Sequence, residues 1–328
     1  NTAHATAGNQ LLVKGDYTGN DGHIHFNTAL GDDNSVTDKM VVTGDTSGKT
    51  GVSVSNAGGT GAQTLNGIEL IHVDGASNGE FNQEGRIVAG AYDYTLARGK
   101  DGNSGNWYLT SKQNGENPDP DPKPGENTER PEGGSYIANL AAANNLFVTR
   151  LHDRLGETQY IDALTGEQKV TSMWMRQVGG HSNWRDAAGQ LKTQSNRYVM
   201  QMGGDVAQWS TDGLDRWHLG LMAGYGNNHS STKSNISGYS SKGSVDGYST
   251  GIYGTWYAND AEKTGTYLDS WLQYSWFNNH VNGEQIASES YKSRGITASV
   301  EVGQTIKLNE FKGSLGSTNT WYVPVSYT

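Results

Sequence analysis

Few residues in this chain have the type and spacing to do chemistry. His23 and His25 lie two residues apart, so in an extended strand both imidazoles fall on one face, as two metal ligands would. No third ligand stands at a suitable spacing, and the plainer reading is two polar residues on a solvent-facing strand. Asp32, Asp33 and Asp45 offer carboxylates to calcium, but their place between apolar runs suits residues that end strands by accepting hydrogen bonds from turn backbone. Gly58-Gly59-Thr60-Gly61 has the glycine density of a phosphate loop, yet no lysine and no helix follow, so it reads as a turn. No nucleophile–base–acid triad is readable, and neither a cofactor nor a bound metal is expected.

The composition narrows the classes further. A length of 328 residues allows two domains. The net charge of −10 and a charged fraction of 18% exclude nucleic acid as the expected partner, because phosphate binding needs a concentrated basic face. The 45 glycines follow no three-residue period, which excludes collagen. Tyr (17) and Trp (9) outnumber Phe (5), a bias towards aromatics that sit with one end apolar and the other wet. There is no cysteine, which suits a chain that crosses an oxidising compartment unfolded. Asn1-Thr2-Ala3-His4 is not the start of a signal peptide, and no run approaches the roughly 20 apolar residues of a membrane helix. Barrel strands alternate and keep hydropathy low, so a membrane remains open.

Three regions differ in pattern. From 1 to 113, short period-two runs separated by Gly and Asn/Asp predict strands: Leu11–Val13, Gly22–Phe26, Lys39–Val42, Gly51–Ser55, Gly67–Val73 and Tyr92–Leu96. Their regular spacing fits a solenoid or a sandwich. Asn117-Pro118-Asp119-Pro120-Asp121-Pro122-Lys123-Pro124-Gly125 reads as a semi-rigid polyproline spacer. A helix is predicted from about Ser135 to Leu155, with Ile137, Leu140, Ala141, Asn144, Phe147, Val148, Leu151 and Leu155 on one stripe, Gly134 and Ser135 as cap and Gly156 as stop. Long alternating runs follow, such as Leu219, Leu221, Ala223 and Tyr225 against His218, Gly220, Met222 and Gly224. Such alternation fits a lipid-facing barrel or a soluble sandwich equally; aromatics near predicted strand ends (Trp209, Trp217, Trp256, Trp276, Trp321) favour the barrel.

Particular phrases carry a resemblance. Ile24-His25-Phe26-Asn27-Thr28-Ala29-Leu30-Gly31-Asp32-Asp33, continuing through Met40, Gly44-Asp45-Thr46, Gly67-Ile68 and Val73-Asp74-Gly75 to Phe81, is similar to the pertactin-like end of autotransporter passengers. Ala141-Ala142-Ala143-Asn144 through Phe147 and Arg150-Leu151-His152-Asp153-Arg154-Leu155-Gly156 resembles the translocator start of AIDA-type autotransporters, as do Trp174-Met175-Arg176, Val178-Gly179-Gly180-His181 and Gln273-Tyr274-Ser275-Trp276-Phe277. The resemblance implies an all-β chain. Residues 1–113 are expected to be the end of a right-handed parallel β-helix with an autochaperone role. Residues 114–133 are then a Pro/Asp linker, 134–156 a pore-spanning helix, and 157–328 an incomplete antiparallel transmembrane β-barrel of about six to seven strands. Autotransporter barrels have a dozen strands and an aromatic end; here Pro324 interrupts the strand pattern near Thr328, which points to a fragment or a truncated product.

The function implied is an outer-membrane translocator that exports and anchors its own passenger, a surface adhesin. A passenger enzyme or a non-functional remnant is the alternative. Expected partners are outer-membrane lipid, the barrel-assembly machinery with periplasmic chaperones, and a host or bacterial surface reached by the upstream passenger. Asn144-Asn145 resembles the junction at which serine-protease autotransporters cleave themselves, an asparagine side chain attacking its own carbonyl with help from lumenal acids such as Asp269 and Glu301. The alternative is that both asparagines only hydrogen-bond the lumen wall. Such cleavage would be one turnover on its own chain, so no enzyme is expected.

Overall fold

The computed structural model describes residues 6–113, 127–154, 158–161, 164, 166, 168–260, 264–312 and 318–327. The spacer 117–125 and the proposed helix stop at Gly156 lie outside them.

The first unit comprises β1 (Gln10–Val13), β2 (Tyr17–Thr28), β3 (Lys39–Val42), β4 (Thr46–Asn56), β5 (Ile68–Val73), β6 (Glu80–Gln83), β7 (Ile87–Ala89), β8 (Tyr92–Arg98) and β9 (Trp107–Thr110). Strands β1, β3 and β5 stack in parallel, and so do β2, β4 and β6. That pairing is parallel, as in a stack of coils and unlike an antiparallel sandwich. The cause is a repeated corner: Lys14-Gly15-Asp16-Tyr17-Thr18-Gly19 returns as Thr43-Gly44-Asp45-Thr46-Ser47-Gly48 and as Asp74-Gly75-Ala76-Ser77-Asn78-Gly79. A side chain at Gly44 would put its Cβ 2.6 Å from the carbonyl carbon of Gly15, so the corners approach closely only because they are glycine. Phe26, Leu30, Met40, Val42, Val52 and Leu70 fill the interior. The parallel stacking stops where β5 takes β9 as an antiparallel neighbour and β9, β8 and β7 continue antiparallel.

Carboxylates tie successive coils. Asp38 accepts the backbone N–H groups of Asn9 (2.8 Å) and Asn27 (2.9 Å). Asp16 accepts Asp45 N–H, and Asp45 in turn accepts Ala76 N–H, at offsets of 29 and 31 residues. Asp33 takes three N–H groups of the next coil, from Leu65, Asn66 and Gly67 (2.8, 2.8 and 2.9 Å). The aspartates at the corners thus serve turn backbone.

The second unit opens with α1 (Pro131–Asn145), followed by β10 (Thr158–Ile161) and β11 (Gln168–Thr171), which pair only with each other. Then β12 (Trp174–Arg185), β13 (Leu191–Trp209), β14 (Arg216–Ser234), β15 (Ser240–Asn259), β16 (Thr264–Gly283), β17 (Glu289–Lys312) and β18 (Thr318–Tyr327) form one antiparallel meander in sequence order. Pro324, which the sequence pattern suggested as an interruption, lies within β18 opposite Thr305.

The helix departs from the predicted span. It begins at Pro131, because residues 127–130 are held as an extended segment by Asp93 N–H to Thr128 O (3.0 Å) and Arg130 N–H to Ala91 O (2.9 Å), and proline suits the first helical position. It ends at Asn145 rather than near Leu155. Just beyond, the Phe147 carbonyl accepts side-chain amides of Gln201 (3.0 Å) and Gln273 (2.8 Å), so the sheet takes over the backbone, and only a short 3-10 turn follows at Leu151–Asp153. The stripe is also rotated. Ile137 and Leu140 are 57% and 62% exposed, while Ser135, Ala138 and Asn139 are buried.

Burial pulls Glu69 upward, but its ion pair with Lys39 and the hydrogen bond from Tyr108 (2.9 Å) outweigh this and leave its pKa below the usual value. Burial is likewise outweighed at Asp38, by the N–H groups of Asn27 and Asn9. A depressed folded pKa adds stability that is present above the unfolded pKa and lost as pH falls through the folded one. The melting temperature of the first unit is therefore expected to hold above about pH 5 and to fall below about pH 4, as followed by circular dichroism. Asp33→Ala orphans three N–H groups and is expected to cost about 1–3 kcal/mol in urea unfolding.

Candidate functional site

The inward face of the meander is made of small and polar side chains. Thr193 and Gln201 on β13, Asn228 and Thr232 on β14, Ser241 and Ser249 on β15, and Gln273 and Asn279 on β16 are all buried. They bury themselves against α1, whose sheet-facing residues are small for the same reason: a close approach. A Cβ at Gly134 would lie 2.6 Å from Thr232 Cγ2. The Ser135 and Ser241 hydroxyls meet at 2.9 Å, and Asn139 Nδ2 donates to His280 O at 3.2 Å. Directly after the helix an apolar plug follows, with Leu146 and Phe147 packed on Val199, Val245 and Phe277. The Phe147 and Phe277 rings stack at 5.8 Å.

Below the plug the chain is held by hydrogen bonds. Trp271 Nε1 donates to Thr149 O at 2.9 Å, Leu151 N–H donates to Glu301 at 3.1 Å, and Tyr267 donates to the same carboxylate at 3.2 Å. Arg154 pairs with Asp269, which also accepts Thr255 Oγ1 at 2.7 Å. Asp269 and Glu301 are thus inward-facing, as the alternation suggested, and they engage the segment after the helix. Asn144 and Asn145 are exposed, and Asn145 Nδ2 donates to Ala141 O at 2.8 Å. The described contacts join neither acid to either asparagine. A cavity of about 410 Å³ separates this part of α1 from β12 and β13, lined by Ala142, Asn145, Arg176, Trp184, Arg197 and Val199 among others.

The outward face has the opposite character in its lower half. Met175, Met202, Leu219, Leu221, Ile252, Leu272, Ile296 and Val300 are exposed there. Two aromatic rows bound this band. Trp209, Trp217 and Trp256 form the lower one, with centroids 5.9 and 6.0 Å apart; Tyr225, Tyr248 and Trp276 form the upper one, at 5.2 and 6.1 Å. From Trp217 to Tyr225 the strand rises about 27 Å, which at a tilt of about 40° is roughly 20 Å of height. Trp276 lies in the middle of β16 rather than at its end, because the strands run on well above the band.

A polar, helix-filled inner face behind an apolar outer band narrows the families to compare. The family model for the autochaperone domain, type 1, matches residues 1–96, and that for the autotransporter beta-domain matches residues 173–323. YuaQ of Escherichia coli K12 is 61% identical over 97% of this chain and 24% of its own length. YdeU of the same strain is 56% identical over 98% of this chain and 72% of its own length. The Escherichia coli autotransporter adhesin AIDA-I is 38% identical over 98% of this chain and 24% of its own length. The crystal structure of the AIDA-I transport unit superposes with a TM-score of 0.53 at 34% identity, covering 60% of each chain. This chain belongs to the AIDA-type autotransporter family. It spans about a quarter of the length of YuaQ and of AIDA-I.

The part of the chain that matches the autochaperone model is bolted to α1 and the meander through Arg86. Its guanidinium donates twice to Asp93 (2.7 and 3.0 Å), twice to Glu132 at the start of α1 (2.7 and 3.0 Å), and once to Glu284 O at the β16–β17 turn (3.1 Å). Tyr239, between β14 and β15, covers it at 4.6 Å. Gln190, between β12 and β13, closes the same junction by accepting Glu129 N–H (3.1 Å) and donating to Asn127 O (2.6 Å). All three ionic side chains of the Arg86 cluster are at most 3% exposed. Burial works against the charge on Arg86, but its two carboxylate partners outweigh that and hold its pKa above the ordinary value. Reasoning from sequence missed this cluster, since Arg86, Asp93 and Glu132 carry no spacing that announces them.

The histidine pair has found other work. His23 bonds Glu84 (2.6 Å) and Ser53 (2.9 Å), and His25 bonds Ser53 (2.7 Å), on the open face of β2 and β4. Among the described residues no group of three or more His, Asp or Glu is arranged to hold a metal.

Arg86→Met leaves two buried carboxylates facing one another's field and is expected to cost about 3–5 kcal/mol. Replacing Arg86, Asp93 and Glu132 together by neutral residues of similar volume is expected to cost far less. Protease sensitivity of the first unit in the purified protein separates the two outcomes.

Proposed function

We propose that this chain is the membrane-proximal part of an outer-membrane autotransporter that exports and anchors its own passenger. Residues 1–113 act as the end of a right-handed parallel β-helix with an autochaperone role, 114–133 as linker, and the helix of 134–156, begun in the structure at Pro131, as the pore occupant. Residues 157–328 form part of a transmembrane β-barrel. The observation that carries this reading is the reversal of polarity across one sheet. Its covered side is polar and hydrogen-bonded to the helix, and its bare side is an apolar band between aromatic rows. A soluble sandwich would place these faces the other way round.

The passenger is read as an adhesin, supported by AIDA-I and by the BmaC adhesin of Brucella suis among the relatives. In this reading the barrel sits in outer-membrane lipid and is placed there by the assembly machinery after periplasmic chaperones have escorted it. The passenger faces the outside and meets a host or bacterial surface. The chain is not an enzyme in this reading; at most Asn144 or Asn145 takes part in one self-cleavage.

Leu272 stands in the middle of the outward band. Leu272→Arg is expected to cost about 2–4 kcal/mol of folding in the bilayer, whereas His229→Arg, above the band, is expected to be neutral. In cells making the full natural chain, the first variant should lose the heat-modifiable species from outer membranes and the second should keep it. Equal tolerance of both would remove the membrane assignment.

A further inference from the structure

Above the upper aromatic row the outward face of the sheet turns polar, and towards its far end it turns cationic. Arg185, Lys192, Lys233 and Lys242 are exposed and stand on four adjacent strands, β12 to β15. Arg185 is directly opposite Lys192, and Lys192 is directly opposite Lys233. Lys242 lies one diagonal step on, opposite Ser231. Like charges facing each other across an antiparallel pair repel, so such a row is an expense to the fold unless something outside it supplies the counter-charge.

No carboxylate among the described residues lies within ion-pair distance of any of the four. The chain has 34 acidic and 24 basic residues, so the row runs against the composition. Their outward neighbours are Asn183, Gln194, Ser231, Ser240, Ser244 and Asn282. The nearest acids are held at turns: Asp186, next to Arg185, accepts Leu191 N–H at 2.6 Å, and Glu284 accepts the N–H and hydroxyl of Ser240, the residue opposite Lys233, at 3.1 and 3.2 Å, so the row is offset at its edges and not along its length.

We infer that this row binds the phosphate-bearing oligosaccharide headgroups of glycolipid in the membrane leaflet around it. The inference rests on the outer-membrane reading and goes beyond it. From Tyr225 to Lys233 the strand climbs another 27 Å or so, about 20 Å in height at the same tilt, which is the level of a saccharide headgroup and not of acyl chains. The cations face away from the channel, so their ligand comes from beside the protein. Closely spaced cations meet closely spaced phosphates, and a neutral sugar would leave the repulsion in place.

The test uses the full natural chain and its Arg185→Gln/Lys192→Gln/Lys233→Gln/Lys242→Gln variant, both purified from outer membranes in mild detergent. Glycolipid retained per protein is measured by mass spectrometry. Binding of purified glycolipid is measured before and after enzymatic removal of its phosphates. The variant, and the dephosphorylated glycolipid, are each expected to bind about tenfold more weakly, with the difference shrinking as salt is raised. Equal retention by both proteins, equal binding of the dephosphorylated form, or preference for a soluble anionic polymer over the glycolipid overturns the site. Heat-modifiability is scored on the same samples. If neither protein inserts, the outer-membrane reading fails and the site with it; if both insert and bind alike, only the headgroup site fails.

Discussion

One guanidinium holds the two halves of this chain in register. Arg86 leaves the stack of coils and is met by Asp93 from its own unit, Glu132 from the helix and the Glu284 carbonyl from the sheet. A buried ion pair is a poor source of net stability, because removing both charges from water costs about what their attraction returns. Its value lies in geometry. The five donors of arginine form a rigid fork, and all of them are satisfied only when stack, helix and turn occupy one arrangement. An apolar contact of the same area would tolerate sliding and rotation; this one does not. The helix start at Pro131, the seating of Gly134 on Thr232 and the bond between Ser135 and Ser241 all lie within a turn of Glu132.

From that fixed point the helix descends along a wall chosen for closeness. Small residues on α1 meet small and polar residues on β13 to β16, so the contact is made by hydroxyls and amides rather than by interlocked aliphatics. Such a surface holds one helix without selecting a bulky sequence. The bulkier plug of Leu146 and Phe147 comes afterwards, and there the backbone abandons the helix because Gln201 and Gln273 both offer their amides to one carbonyl. Two fixed glutamines satisfy that oxygen as a next turn would have done, at no cost in helical dihedrals.

Much of the architecture was legible from sequence, and the failures have a common source. Period-two runs located β1, β3, β5 and β8 closely, because alternation in a strand is local. The coil repeat at Gly15-Asp16, Gly44-Asp45 and Gly75-Ala76 was equally present and was overlooked, since its spacing of about thirty residues exceeds the window in which strands are read. The helix stripe failed because the usual rule, apolar inside, was applied to a helix whose neighbour is a polar wall: Ile137 and Leu140 face away from it. Aromatic rows do not mark strand ends here: β16 runs on past Trp276 to Gly283. The Arg86 cluster joins positions 86, 93, 132 and 284, and no linear pattern can bring those together. Asn144 and Asn145 are neighbours in sequence, whereas Asp269 and Glu301 engage Arg154 and Leu151 below the plug.

The end of the stack beside the sheet is built in a way that bears on how the stack forms. There β7, β8 and β9 turn antiparallel and close the core, and this end is the one fastened by Arg86. In a repeat architecture each coil is stabilised chiefly by its neighbour, so order passes from one coil to the next, and a closed end offers one place for it to start. The corner aspartates make the dependence explicit: Asp45 receives an N–H from the coil nearer the cap, through Ala76, and hands its own N–H to Asp16 on the coil further away. A coil laid down beside the cap therefore presents a ready donor to the next. In the proposed reading, where passenger emerges beside the anchored barrel, the capped end is also the end nearest the membrane. Order spreading outward from there needs no other scaffold than the coil before it.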